Sequence, residues 1–361
     1  MVNDKWLIFH CQLSIFVVAY PLRLTKSRDM MRKYFKILAI DGGGVRGMLP
    51  AMIIAEIEKR LRHITGKEDS YIADYFDLIA GTSTGGILSC YYIYNQDGRR
   101  FDAGKAITLY EEFGSIIFKK RLFSFVIRLF DALYPAKGIY HVLKETLGEA
   151  KLSEALCNCA IMAYDISARK AVIFTRDSAR QDAGRDYTLR DIARATSAAP
   201  TYFRVAKAIS MSGDSSYLID GGIYANDPTI CAIVEAKKTK FGESGEYPKL
   251  SDMFVVSIGT GKVVKSYEYE KAKKWGVIRW AIPVIDMLQS SSAEVVSYQV
   301  DKLFDSEDCR EQYIRIVPEL YDVNHKMDDA SSKNIVRLKE AGNKYIADNS
   351  SLLDEIVKLL I

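Results

Sequence analysis

Four short apolar runs in this chain each stop at a glycine-rich turn, and that pattern limits the fold more than any other feature. Residues 34–40 run into Asp41-Gly-Gly-Gly-Val-Arg-Gly47, and residues 76–80 into Gly81-Thr-Ser-Thr-Gly85. Residues 216–219 run into Asp220-Gly-Gly222, and residues 252–258 into Gly259-Thr-Gly261. Apolar, β-branched runs of this length read as buried strands. Helical patterns lie between them, at 50–63 with Pro50 suited to a first turn, after Ser83 with Ile87, Leu88, Tyr91 and Tyr92, and at 189–199. Residues 158–165 and 170–175 read as a further strand pair. Strands alternating with helices predict an α/β fold: a mainly parallel sheet with helices on both faces and a site at its C-terminal edge. From about Tyr267 onward the pattern is helical and charged. Three parts follow: an N-terminal segment at 1–33, an α/β core at 34–266, and a helical C-terminal flank or cap at 267–361.

Composition narrows the function. The 361 residues are 48% hydrophobic and carry a net charge of +4, too mild for a nucleic-acid polymer as partner. Six cysteines are scattered, and the single close pair, Cys157 and Cys159, lacks a second ligand pair, so zinc is not indicated. Buried thiols in a reducing cytoplasm are the expectation, with no metal and no cofactor. Residues 6–22 are mostly apolar but interrupted by His10, Gln12 and Ser14, short for a spanning helix and without a good cleavage site. A signal or anchor, a docked segment and a start at Met30 or Met31 all stay open.

Ser83 stands in the turn Gly81-Thr-Ser-Thr-Gly85, between a strand and a helix. That is the context of a G-x-S-x-G nucleophile elbow, where glycines relieve crowding around an exposed hydroxyl. A plain glycine-rich packing turn would look the same. Gly42, Gly43 and Gly44 also follow a strand and open a helix, and with Gly47 they fit a dinucleotide fingerprint. That reading needs an acidic residue at the end of the next strand, which ends instead at Gly81 and Ser83. The alternative is an oxyanion hole, in which backbone N–H groups converge on a developing negative charge.

A serine nucleophile needs a base. His10 lies in the N-terminal segment, His63 among basic residues, His141 within a helical pattern, and His325 in a polar stretch with no strand before it. Asp220 closes an apolar strand at a glycine turn, as Ser83 does. Two strand ends of one parallel sheet could bring hydroxyl and carboxylate together, and a desolvated carboxylate holds protons well enough to act as a general base. An Asp that merely closes its turn is the plain alternative.

Taken together, Asp41-Gly-Gly-Gly-Val-Arg-Gly47, Gly81-Thr-Ser-Thr-Gly-Gly86 and Asp220-Gly-Gly222 resemble the three signatures of the patatin-like phospholipase family, in order. Residues 195–203, 225–228 and 257–261 resemble further family segments. The resemblance covers roughly residues 34–262 and implies a core related to the α/β-hydrolases. It implies a lipid acyl hydrolase with Ser83 as nucleophile, Asp220 as base, an oxyanion hole at Gly42, Gly43 and Gly44 supported by Arg46, and no catalytic histidine or metal. Asp227 departs from the Asn that family members often carry, with little effect expected. The chain looks most like compact bacterial members, some of which serve antiphage (CBASS) systems and are activated by a cyclic dinucleotide. The implied substrate is membrane phospholipid, met by transient contact at the inner face of the membrane. Two stretches suit such a surface: 113–130, which mixes Phe with Lys and Arg, and 271–288, with Lys273, Lys274, Trp275, Arg279 and Trp280. Each is equally a helix with a solvated basic face. The rivals are a serine esterase with a histidine base and a nucleotide-sensing regulator.

Overall fold

The computed structural model describes residues 34–112, 114–118, 131–241, 245–262 and 266–361. Its frame is an eight-stranded sheet of β1 (Phe35–Ile40), β2 (Leu78–Thr82), β3 (Asn158–Asp165), β4 (Lys170–Phe174), β5 (Ala206–Ile209), β6 (Ser215–Asp220), β7 (Met253–Ile258) and β8 (Tyr313–Ile316). The spatial order is β5-β6-β3-β2-β1-β7-β8, with β4 paired to β3. Strands β3, β2, β1, β7 and β8 run parallel.

Side chains alternate across a strand, so a run that is apolar throughout must be covered on both sides. In β1, Leu38 and Ile40 face one cluster with Ile79, Ile161 and Val256. Phe35 and Ile37 face the other, with Leu78, Met162 and Val255. The first side is covered by α1 (Met48–Thr65) and α2 (Thr84–Tyr92), and by α3 (Thr108–Glu111), α4 (Ala136–Leu147) and α5 (Leu189–Thr196) around the cleft described below. The second is covered by α6 (Thr229–Ala236) and α7 (Val277–Ser306), through Ala232, Ile233, Val296, Val300 and Phe304. The last two helices, α8 (Ser332–Asp348) and α9 (Ser350–Leu360), pack on α1.

Strand β6 departs from the expected all-parallel arrangement, and the departure builds the site. It pairs antiparallel with β3, Ala163 opposite Asp220. Strand β2 pairs with the earlier part of β3, Thr82 opposite Met162. Because β4 lies along residues 161–165 of β3, both β2 and β6 occupy the remaining edge. They therefore meet head-on, and their C-terminal residues stand against neighbouring positions of β3. The expectation of two parallel strand ends is corrected: Ser83 and Asp220 arrive from opposite directions.

The C-terminal stretch expected to be helical also contains a strand. β8 extends the parallel sheet beyond β7, Val255 opposite Tyr313 and Ile258 opposite Ile316. At four residues, YIRI, it is too short for a clear alternation beside the long helical patterns around it.

Candidate active site

Ser83 follows β2 and caps α2, with φ 56° and ψ −121°. A non-glycine residue holds a positive φ only when its surroundings impose it. Here they do. The Ser83 N–H donates to Thr196 Oγ1 at 2.9 Å, and Thr196 Oγ1 donates to the Met162 carbonyl at 2.6 Å. A Cβ at Gly85 would collide with the Ile40 carbonyl, so the helix can start this close to β1 only with glycine there.

Asp220 is fully buried. Its Oδ1 accepts the Gly222 N–H at 2.8 Å, and Oδ2 has no hydrogen bond of ordinary geometry. Burial raises its pKa to about 7, and interaction with the Ser83 hydroxyl and the Gly222 N–H works the other way. The Asp220 N–H donates to the Ala198 carbonyl at 3.1 Å, two residues beyond Thr196. The C-terminal end of α5 and the residues just after it thus hold the backbone of both residues.

The glycine loop closes the site from β1. A Cβ at Gly42 would collide with Asn226 Oδ1 and press on Ser83 Cβ. The Gly42 N–H is already taken, donating to the Asn226 carbonyl at 3.0 Å, so of the three expected donors Gly42 drops out. Among the described residues no hydrogen bond occupies the N–H of Gly43 or Gly44. Arg46 is buried, and its Nε and backbone N–H both donate to the Gly43 carbonyl, each at 3.3 Å. In a trans peptide the carbonyl and the following N–H point oppositely, so holding the Gly43 carbonyl aims the Gly44 N–H.

Beneath this loop lies a buried charge cluster. Arg315 on β8 donates to both oxygens of Asp41, at 2.8 and 2.5 Å, and to Ser257 Oγ at 2.7 Å. Asp227 Oδ2 lies 3.3 Å from the same guanidinium. Two carboxylates therefore share one cation. Burial raises Asp41 to about 7, Arg315 opposes that shift, and Asp227 adds to it. The carboxylates in turn raise the pKa of Arg315 against its burial. The departure at Asp227 thus sets a second carboxylate against a buried guanidinium.

An apolar cleft opens at Ser83, walled by Ile87 and Tyr91 of α2, Leu143 of α4, Phe203 and Met327. Of the expected aromatic-basic stretch, residue 113 and residues 119–130 lie outside the described residues. In the second stretch Trp275 and Trp280 meet edge to face with ring centroids 5.1 Å apart, and Tyr267, just before it, meets Trp275 edge to face at 5.5 Å. His63 is exposed, His141 pairs with Glu145 at 3.2 Å, and His325 does not line the cleft.

A model of the patatin-like phospholipase family matches residues 38–233. The chain belongs to that family. Among its relatives, Patatin-like protein 2 of Oryza sativa subsp. indica is 34% identical over 350 residues, 89% of this chain and 86% of the relative. Patatin-2-Kuras 3 of Solanum tuberosum is 33% identical over 351 residues, 92% of this chain and 89% of the relative. The crystal structure of VipD from Legionella pneumophila aligns with 86% of this chain and 67% of its own at 12% identity and a TM-score of 0.37, too loose to argue from. As a patatin-like phospholipase the chain is a hydrolase of the lipid acyl class. Among the described residues no helix is long and apolar enough to cross a membrane.

Thr196, Asn226 and Arg315 escaped the sequence reading as site residues. Thr196 and Asn226 lie in segments noticed for their likeness to the family, but nothing in their local pattern marks a backbone strut. Arg315 had no signal, because its partners come from three distant segments: the end of β1, β7 and the turn before α6.

Proposed function

We propose that this chain cleaves fatty acyl esters of membrane phospholipids with Ser83 and Asp220 as a dyad. Ser83 Oγ attacks the ester carbonyl while Asp220 Oδ2 takes its proton. The tetrahedral oxyanion is received by the N–H groups of Gly43 and Gly44, with the N-terminus of α2 adding favourable potential. Collapse expels the alcohol, which leaves with a proton returned by Asp220. Water, activated by the same carboxylate, then releases the fatty acid from the acyl-enzyme. The observation that carries this reading is the head-on meeting of β2 and β6. It sets a serine with positive φ beside a buried carboxylate that has one oxygen free of ordinary hydrogen bonds.

The test is release of fatty acid from phospholipid vesicles. Ser83→Ala and Asp220→Asn should each lower kcat by at least about a thousandfold, as expected when one member of a cooperating pair is removed. His325→Ala should leave it within about threefold. Full activity in Ser83→Ala would overturn the proposal, and loss in His325→Ala with a spared Asp220→Asn would favour the histidine-base esterase. Activation by a cyclic dinucleotide, a role in antiphage defence and action at the inner membrane face rest on the resemblance to bacterial members. Adding cyclic dinucleotides to the same assay tests the first of these.

A further inference from the structure

The cleft that opens at Ser83 has a far wall. Along α2 it is lined by Ser83, Ile87 and Tyr91, offsets of four and eight that share one helix face. At the helical rise, the cleft follows α2 for ~12 Å. A second cleft lies beyond and has a different character, with Gln96, Arg99, Lys105 and Glu145 among its lining. The two clefts share three side chains: Tyr91, Leu109 and Thr146. Tyr91 and Thr146 sit at the C-terminal ends of α2 and α4, so the shared wall lies at the end remote from Ser83.

These three are not equally fixed. The Tyr91 ring stacks on Phe101 with centroids 4.3 Å apart and planes at 15°, and Phe101 stacks on Tyr94 at 4.3 Å. Thr146 is set in the twelve-residue α4. Leu109 comes from α3, a single turn of four residues, and has no polar group to anchor it. Of the three it is the one held by apolar packing alone.

We infer that Leu109, backed by Tyr91 and Thr146, is the partition that sets which acyl-chain lengths are accepted at Ser83. This rests on the Ser83–Asp220 reading. An acyl chain esterified at Ser83 lies along α2 among apolar side chains. Each added methylene gains burial, worth roughly a factor of four in kcat/KM. The gain ends once the chain spans the ~12 Å to the partition. A longer chain must push Leu109 aside and place its tail among Arg99, Lys105 and Glu145, where an alkyl tail gains nothing.

The experiment is a series of p-nitrophenyl esters of saturated acids, from butyrate to palmitate, on the full chain. The wild type should show kcat/KM rising with length and then breaking. Leu109→Ala should move the break longer by about two carbons, because leucine reaches two bonds beyond Cβ and each chain carbon advances roughly 1.25 Å for ~1.5 Å bonds at tetrahedral angles. Leu109→Trp should move it shorter by a similar amount. The butyrate ester is too short to reach the wall, so its rate should stay within about twofold in both variants and reports an intact fold. Unmoved breaks in both variants, with the butyrate rate kept, would overturn the partition. No ester cleaved by the wild type, or esters cleaved equally by Ser83→Ala, would instead overturn the dyad on which it rests.

Discussion

Ser83 holds its positive φ because Thr196 takes its N–H and Gly85 lets α2 start against β1. Asp220 stays ready to accept a proton because burial disfavours its charge while a single N–H and the Ser83 hydroxyl favour it only in part. A base must be unprotonated to work. With its pKa raised to about 7, kcat/KM should rise as pH increases through about 7 and level off above it. An acid limb near 4 would mean that Asp220 is not the base. The same shift predicts stability. Asp220 and Asp41 hold their protons more tightly folded than unfolded, so folding takes up protons between the ordinary carboxylate range near 4 and about 7. Stability should therefore fall as pH rises across that window, and Asp220→Asn should flatten part of the slope in urea titrations at successive pH values.

At the scale of elements, the site is where strand ends converge, and this is where sequence reading succeeded and stopped. The glycine turns after β1, β2 and β7 were legible because a buried strand ending in glycine has few other uses. Ser83 and Asp220 were legible because each closes such a strand. The antiparallel sense of β6 was not, since an apolar run carries no direction. Nor was the Asp41–Arg315–Asp227 cluster, whose members lie at the ends of separate elements and which burial alone unites. Arg315 joins β8 to the end of β1 and to the turn after β6, so the loop carrying Gly43 and Gly44 is tied to the C-terminal part of the sheet. Arg315→Ala would leave two buried carboxylates without their cation, which costs about 3–5 kcal/mol. The expected outcome is a lower urea midpoint by that equivalent, partly recovered in Arg315→Ala/Asp227→Asn because one orphaned charge is gone. An Arg315→Ala variant as stable as wild type would show that the guanidinium does not hold the two carboxylates in place.

At the scale of the whole molecule, the helical flank proposed at 267–361 is bound into the same core as the site. Strand β8 forms the edge of the sheet and carries Arg315, and Leu338, Leu353, Ile356, Val357 and Leu360 are buried against the cluster that also holds Leu38, Ile53 and Ile57. Lys36 Nζ donates to the Leu360 carbonyl at 2.5 Å, fastening α9 to β1. Each such aliphatic side chain contributes about 1.5–3 kcal/mol on burial, and a folded domain is stable by only about 5–15 kcal/mol in total. Removing residues 309–361 therefore takes away more than the remainder can lose, and bares β7 as a flat apolar edge. The truncated chain should show no cooperative urea transition and should aggregate. The intact chain should unfold in one transition with coincident far- and near-ultraviolet circular dichroism. A soluble, cooperatively folding truncation that keeps esterase activity would show instead that the flank is a separable cap, and that the loop carrying Gly43 and Gly44 holds its shape without Arg315.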